Sequence, residues 1–179
     1  VYAFVDADGD MKADKIVAIA EGLVRPNAVA FKDGDLYVGE MIRVLRFTDI
    51  EERLGDPPAP EVVFDGFPNQ SDHGKKYMKF GPDGYLYVPV GADCNVCAPK
   101  NEMDGTIVRM TKDGNDVSVI ARGVRNSVGL DWNPASASIS VFRRATAPIS
   151  QIPNSDRQRR AAAQRRRRSR SRRIPPRSA

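Results

Sequence analysis

The chain has 179 residues, a net charge of +5 and 41% hydrophobic residues, enough for one domain with a sizeable core. No apolar run reaches the roughly 18–20 residues of a membrane-spanning helix. Two cysteines and a single histidine exclude a disulfide-rich scaffold and do not supply the four Cys or His ligands of a closed zinc site.

The overall charge hides a division. Residues 1–140 carry 15 Lys and Arg against 22 Asp and Glu, net −7, whereas residues 141–179 carry 13 Arg and one acid, Asp156, net +12. The expected organisation is an acidic, Gly- and Asp-punctuated body over 1–140 followed by an Arg-rich, low-complexity tail over 141–179. The text opens at Val1 without the basic and apolar regions of an export signal, and is expected not to begin at a natural gene start.

In chain order, the first feature is DADGDMKAD, with Asp6, Asp8, Asp10 and Asp14 spaced around a glycine turn. Carboxylates at such offsets can wrap oxygens about Ca2+, although the bidentate Glu of an EF-hand loop is missing. The plain alternative is a solvated acidic turn. Strand-like segments follow at Lys15–Ala20, Asn27–Phe31, Leu36–Val38, Val44–Phe47, Glu61–Phe64, Tyr77–Phe80, Tyr85–Val90, Thr106–Met110 and Val117–Ala121, bounded by Gly, Pro, Asp and Asn. A turn or two of helix is expected over Thr48–Leu54, where Thr48 could cap and Glu51 answer it three residues later. The chain otherwise reads as all-β.

A repeat gives this pattern its meaning. Ala28–Val38 reads AVAFKDGDLYV, Met78–Val88 reads MKFGPDGYLYV, and Val128–Pro134, VGLDWNP, begins the pattern again; the aromatics Phe31, Phe80 and Trp132 lie 49 and then 52 residues apart. Four strands in about 50 residues is the period of a β-propeller blade, and closure needs at least about four blades. The body holds about two and a half to three. It is therefore expected to be part of a larger propeller, or a piece of an oligomeric ring, and the first is preferred because open blade faces invite aggregation. The third copy is expected to break near Ala135, where ASASISVFRR replaces the anticipated turn and Leu-Tyr-Val strand. A reading-frame slip in GC-rich DNA would produce such a tail. The alternative is a genuine Arg-Ser tail that binds RNA while disordered.

The repeat also aligns chemistry-bearing residues. His73 lies seven residues before Phe80, Arg125 seven before Trp132 with Asn126 beside it, and Asn27 four before Phe31. A shared phase places them at similar ends of successive blades, which converge near the central channel of a propeller. The seven aromatics Tyr2, Phe4, Phe31, Phe47, Phe64, Phe80 and Trp132 are expected to form core between blades.

GLVRPNAVAFKDGDLYV, SDHGKKYMKFGPDGYLYVPVGADCNVC and ARGVRNSVGLDWNP resemble the sorbosone/glucose dehydrogenase family of soluble quinoproteins over about residues 1–134. That resemblance implies a six-bladed propeller using pyrroloquinoline quinone (PQQ) and Ca2+, a sugar or aldehyde substrate, an external electron acceptor, and a periplasmic or secreted location. It implies His73 as general base and Asp72 as the carboxylate that orients it. An imidazole suits proton transfer near neutral pH. It further implies Arg125 and Asn126 as cofactor contacts, Arg125 stabilising charge on the quinone oxygens, with Asn27 and Asp93 as weaker contacts. The blades that in relatives hold the cofactor calcium and the cofactor carboxylates are not in this text, so the 179 residues alone are expected not to catalyse. The plain alternatives are a surface-turn histidine and an arginine bonded to blade carbonyls.

Cys94 and Cys97 follow a strand. Ala98 stands where a c-type haem would need His, and a thioredoxin-like motif would open a helix in an α/β context. The plain reading is a loop disulfide in an oxidising compartment. Three other functions remain open: a non-catalytic calcium-loop propeller module, a lactonase-like propeller hydrolase, and nucleic-acid binding through the tail.

Overall fold

A computed structural model describes residues 1–69, 72–95 and 98–143, with the backbone alone at 142 and 143. Its described residues form twelve strands and no helix. β1 (Tyr2–Val5) and β2 (Lys15–Ala18) make a two-stranded sheet. β3 (Ala28–Lys32), β4 (Asp35–Gly39), β5 (Val44–Phe47) and β6 (Glu61–Phe64) follow as a four-stranded antiparallel meander. β7 (Lys79–Phe80), β8 (Leu86–Val90), β9 (Thr106–Met110) and β10 (Ser118–Arg122) repeat it, and β11 (Ser127–Trp132) pairs with β12 (Ile139–Arg143). The chain is an all-β partial propeller of two complete blades and two half-blades.

Local chemistry explains the turns. Between β3 and β4, Asp33 and Gly34 take φ of 54° and 88°, the two successive positive values of a type I′ hairpin, and Asp-Gly is the dipeptide that tolerates them. Lys32 therefore pairs with Asp35 and Phe31 with Leu36. The Pro-Asp-Gly turn before β8 closes with Gly84 N donating to Gly81 O at 3.0 Å, and the Lys-Asp-Gly turn after β9 with Gly114 N donating to Thr111 O at 3.0 Å.

The sheets join through the repeat itself. Tyr37 on β4 meets Phe80 on β7 edge-on, with centroids 4.9 Å apart and planes at 74°; Tyr87 on β8 meets Trp132 on β11 at 5.0 Å and 73°. The same two repeat positions thus make the same contact at both interfaces, each worth about 0.5–1.5 kcal/mol beyond the area it buries. One apolar core lies between the complete blades, built on Tyr37, Val44, Met78, Leu86, Val88 and Met110. Gly114 marks the closest approach: any Cβ there would collide with the Val63 carbonyl of β6. Arg46 of β5 crosses the same gap, donating to Glu61 at 2.7 Å and to Asp113 at 2.6 Å.

Two expectations need correction, and others fall at or beyond the limit of the described residues. Thr48–Leu54 is a run of turns rather than a helix, because Asp49 takes φ +49°, a left-handed value that interrupts an α-helical repeat. Past Ala135, where the third copy was expected to change, a turn closed by Asn133 N to Ser138 O at 2.8 Å leads into Ile139–Arg143, with Ile139 opposite Trp132. Strand pairing thereby crosses the expected boundary at 140. Residues 144–179, with the expected RNA-binding tail, lie outside the described residues, as does Cys97. Finally, Tyr2, Phe4 and Phe31 are not core; they are 57%, 69% and 50% exposed. Phe4 faces Ile16 across the β1–β2 pair, and no other sheet among the described residues covers that face.

Candidate functional site

Three segments that each precede a blade's first strand come together. Arg25, Pro26 and Asn27 lead into β3, His73 to Tyr77 lead into β7, and Asn126 to Val128 open β11; with Met41 they line one cleft of about 810 Å³. Asn27, His73 and Asn126, which share a phase in the repeat, are all among these lining residues. Among the described residues the lining contains Arg25, Lys75 and Lys76 and no Asp or Glu, although the body around it is acid-rich.

His73 is held by backbone. Its Nδ1 lies 2.8 Å from the Ala92 carbonyl oxygen; donating that proton leaves Nε2 with a free lone pair. The orienting partner is thus a main-chain carbonyl, whereas Asp72, expected in that role, is exposed. His73 takes φ +49°, a conformation costing a non-glycine residue about 1–2 kcal/mol, and such strain concentrates at functional positions. Gly91 makes the position possible: a Cβ there would lie 2.6 Å from the His73 Cβ and collide with its carbonyl.

Ala92 also ties His73 to Arg125, since its N–H donates to the Arg125 carbonyl at 2.8 Å. The Arg125 guanidinium donates through Nη2 to Asn95 Oδ1, and its Nε is buried without a partner. Arg125 is not among the lining residues, whereas its neighbours Asn126 and Ser127 are. Ser127 is 4% exposed, and its Oγ is likewise buried without a partner.

Asn27 is committed to structure: Nδ2 donates to the Arg25 carbonyl at 2.6 Å and Oδ1 accepts the Lys76 N–H at 2.6 Å. It staples one blade to the next and has little left for a ligand. Asp93 pairs with Lys100 at 3.0 Å and does not line the cleft. Cys94 is disulfide-bonded.

Lys76 was not anticipated. It is 3% exposed, its Nζ donates to Gly74 O at 3.1 Å, and it lies 5.4 Å from the Phe67 ring centroid. Burial pulls its pKa down to about 8, with Asp104 partly opposing. A lowered lysine pKa means that folding is disfavoured below pH 8 and that this cost is relieved as pH rises toward the ordinary value of 10.5. The available signal was its place in the same pre-strand segment as His73. Arg25 and Ser127 could have been found likewise.

At the far end of the chain, carboxylate oxygens of Asp6, Asp8 and Asp14 lie within 4.8 Å of one another on the exposed β1–β2 loop. The fourth expected acid, Asp10, instead pairs with Lys12 at 2.8 Å. The loop is shaped by its own acids, Asp6 accepting from Gly9 N at 2.8 Å and Met11 N at 2.9 Å. Among the described residues there is no helix long and apolar enough to cross a membrane.

The architecture defines the class, a propeller chain with a cationic cleft where consecutive blades meet. The chain belongs to the family described as a domain of unknown function (DUF7133), which matches residues 1–176. A curated relative, an uncharacterized protein of Borreliella burgdorferi, is 27% identical over 138 residues, 72% of this chain and 36% of its own length. Among solved structures, a Trichoderma reesei enzyme of carbohydrate-active family AA12 superposes with a TM-score of 0.63 at 16% identity, covering 78% of this chain and 39% of that one. The chain thus spans little more than a third of these two proteins. The PQQ-bound aldose sugar dehydrogenase of Streptomyces coelicolor aligns at a TM-score of 0.40, with 19% identity over 69% of this chain and 57% of its own. The holo PQQ domain of pyranose dehydrogenase from Coprinopsis cinerea aligns at 0.38, with 16% identity over 74% and 50%. The AA12 superposition establishes the fold; the looser two do not bear on the site.

Proposed function

We propose that this chain is part of a PQQ-dependent sugar or aldehyde dehydrogenase resembling the sorbosone/glucose type, with His73 as general base. The observation that carries the reading is the His73–Ala92–Arg125 linkage, in which Ala92 accepts from the His73 imidazole through its carbonyl and donates its N–H to the Arg125 carbonyl, tying the two segments together. The donor set fits the cofactor: orphaned buried Ser127 Oγ and Arg125 Nε, with a lining of Arg25, Lys75 and Lys76 and no acid, suit an anionic group rich in acceptors. When bound, PQQ supplies the two-electron acceptor for a hydride leaving the substrate C–H bond. His73 Nε2 takes the substrate hydroxyl proton, while the Ala92 carbonyl holds the ring and steadies the imidazolium that results. Arg125 and Asn126 offer hydrogen bonds to oxygens that gain negative charge.

The acid-free lining argues against a lactonase-like metal cluster in the cleft. Asp6, Asp8 and Asp14 favour a second, structural role as a calcium loop. The disulfide at Cys94 accords with a periplasmic or secreted setting, and an external acceptor would reoxidise the cofactor.

The test is titration of the full chain with PQQ, followed by absorbance, and then dye reduction with glucose or sorbosone in the presence of Ca2+. PQQ is expected to bind, Arg125→Ala to weaken it about tenfold or more, and no dye to be reduced. Absence of binding would end the quinone reading, and robust turnover would end the claim that further blades are required.

A further inference from the structure

In the quinone reading Lys76 contributes only as one of three cations on the lining, yet it is the most deeply buried charge there. Its side chain is almost wholly buried. The Gly74 carbonyl is the acceptor of its Nζ, and among the described residues it makes no ion pair. Asp104, in the turn before β9, acts on it at Coulomb range. The other charged or titratable groups on the cleft are His73, Lys75 and Tyr77 from its own segment and Arg25 from the segment before β3, and none of them supplies a negative charge at neutral pH. Ser127 Oγ, buried and unpartnered, belongs to the same lining. The body bears 15 Lys and Arg against 22 Asp and Glu over residues 1–140, but the cleft lining gathers three cations and no acid. A buried ammonium whose one acid, Asp104, acts only at a distance is costly, and an anion from outside would offset that cost.

We propose that the cleft binds a small carboxylate-bearing molecule with Lys76 as its counter-charge, so that binding is coupled to uptake of a proton by the Lys76 amine. The coupling follows from linkage. An anion beside the amine favours its charged form, and whatever the ligand does to proton affinity the proton does to ligand affinity. With Lys76 near pH 8 in the free protein, binding is full below that pH and is lost as pH rises through it. The proposal shares its cleft with the quinone reading but does not depend on a quinone. The carboxylate could come from PQQ or from an acidic sugar, and the experiment separates the two.

Isothermal titration of the full chain with PQQ and, separately, with glucuronate is run at pH 7, 8 and 9, each in two buffers of different ionisation heat. At least one probe is expected to bind, taking up about half a proton at pH 8 and weakening roughly fivefold between pH 8 and 9. Lys76→Met is expected to bind at least tenfold more weakly at pH 7. Lys76→Arg, which stays charged, should keep the pH 7 affinity and lose the pH dependence. If Lys76→Met does not fold, the Arg variant and the wild-type proton count decide. Glucuronate binding with these properties, without PQQ binding, supports the proposal and removes the quinone reading. PQQ binding that is indifferent to pH and to Lys76→Arg leaves the quinone reading and overturns this proposal, as does failure of both probes.

Discussion

The two ends of the described chain handle the same kind of sheet face in opposite ways. Between blades, Tyr37 packs on Phe80 and Tyr87 on Trp132 with nearly equal geometry. At the β1–β2 half-blade, Tyr2, Phe4 and Ile16 stand exposed, and Phe31, at the repeat position of Phe80 and Trp132, has half its surface in solvent. Composition does not separate the two regions; the presence of a neighbouring sheet does. An aromatic in this repeat is a half-contact, and its energy is realised only when the preceding blade brings its Leu-Tyr-Val strand. The relatives span far more chain than this one, which is where further blades would be found.

That contrast can be strained at its tightest point. Gly114→Ala places a Cβ against the Val63 carbonyl at φ +76°, and is expected to cost more than about 3 kcal/mol, steric overpacking adding to left-handed strain. Urea unfolding should show the loss, and a cost within experimental error would mean that β6 and the β9–β10 turn are not in contact. Next in size, Trp132→Ala and Phe80→Ala should each lose roughly 2–3 kcal/mol, below the usual ~3–5 kcal/mol of aromatic truncation because both rings are only partly buried. Equal costs would sharpen the comparison, since the two interfaces repeat one geometry; a cost at Phe80 alone would break it. The smallest effect belongs to the open face. Phe4→Ser should change stability by no more than about 0.5 kcal/mol and should reduce light scattering on concentration. A large loss at Phe4 would show that the β1–β2 face is covered in solution.

The strands were largely legible because Asp-Gly and Pro-Asp-Gly turns announce themselves and the 49- and 52-residue spacing multiplies a weak signal. The misreadings have local causes. Thr48–Leu54 carries a good capping pattern, but Asp49 donates its N–H to Asp35 at 3.0 Å and turns left-handed, a tertiary choice that propensity cannot anticipate. Ser140 and Val141 do not look like Leu-Tyr-Val, yet pairing with β11 accepts them because a ladder reads backbone more than side chain. In the cleft, His73, Asn126 and Asn27 could be found by phase. Asn27's commitment to two backbone partners could not, since one of them, Lys76, lies 49 residues away.

The amino-acid order by itself determined the all-β repeat, its turns and the alignment of three pre-strand segments, since turn chemistry and periodicity are properties of neighbours in the chain. The tertiary structure alone decided that His73 is held by the Ala92 carbonyl rather than Asp72, that Asp10 leaves the acidic cluster, and that the buried Lys76 amine donates to a backbone carbonyl, with Asp104 acting on it only at Coulomb range. Burial and hydrogen-bond partners are set by residues far away in sequence, and their effects on charge exist only once those residues have met.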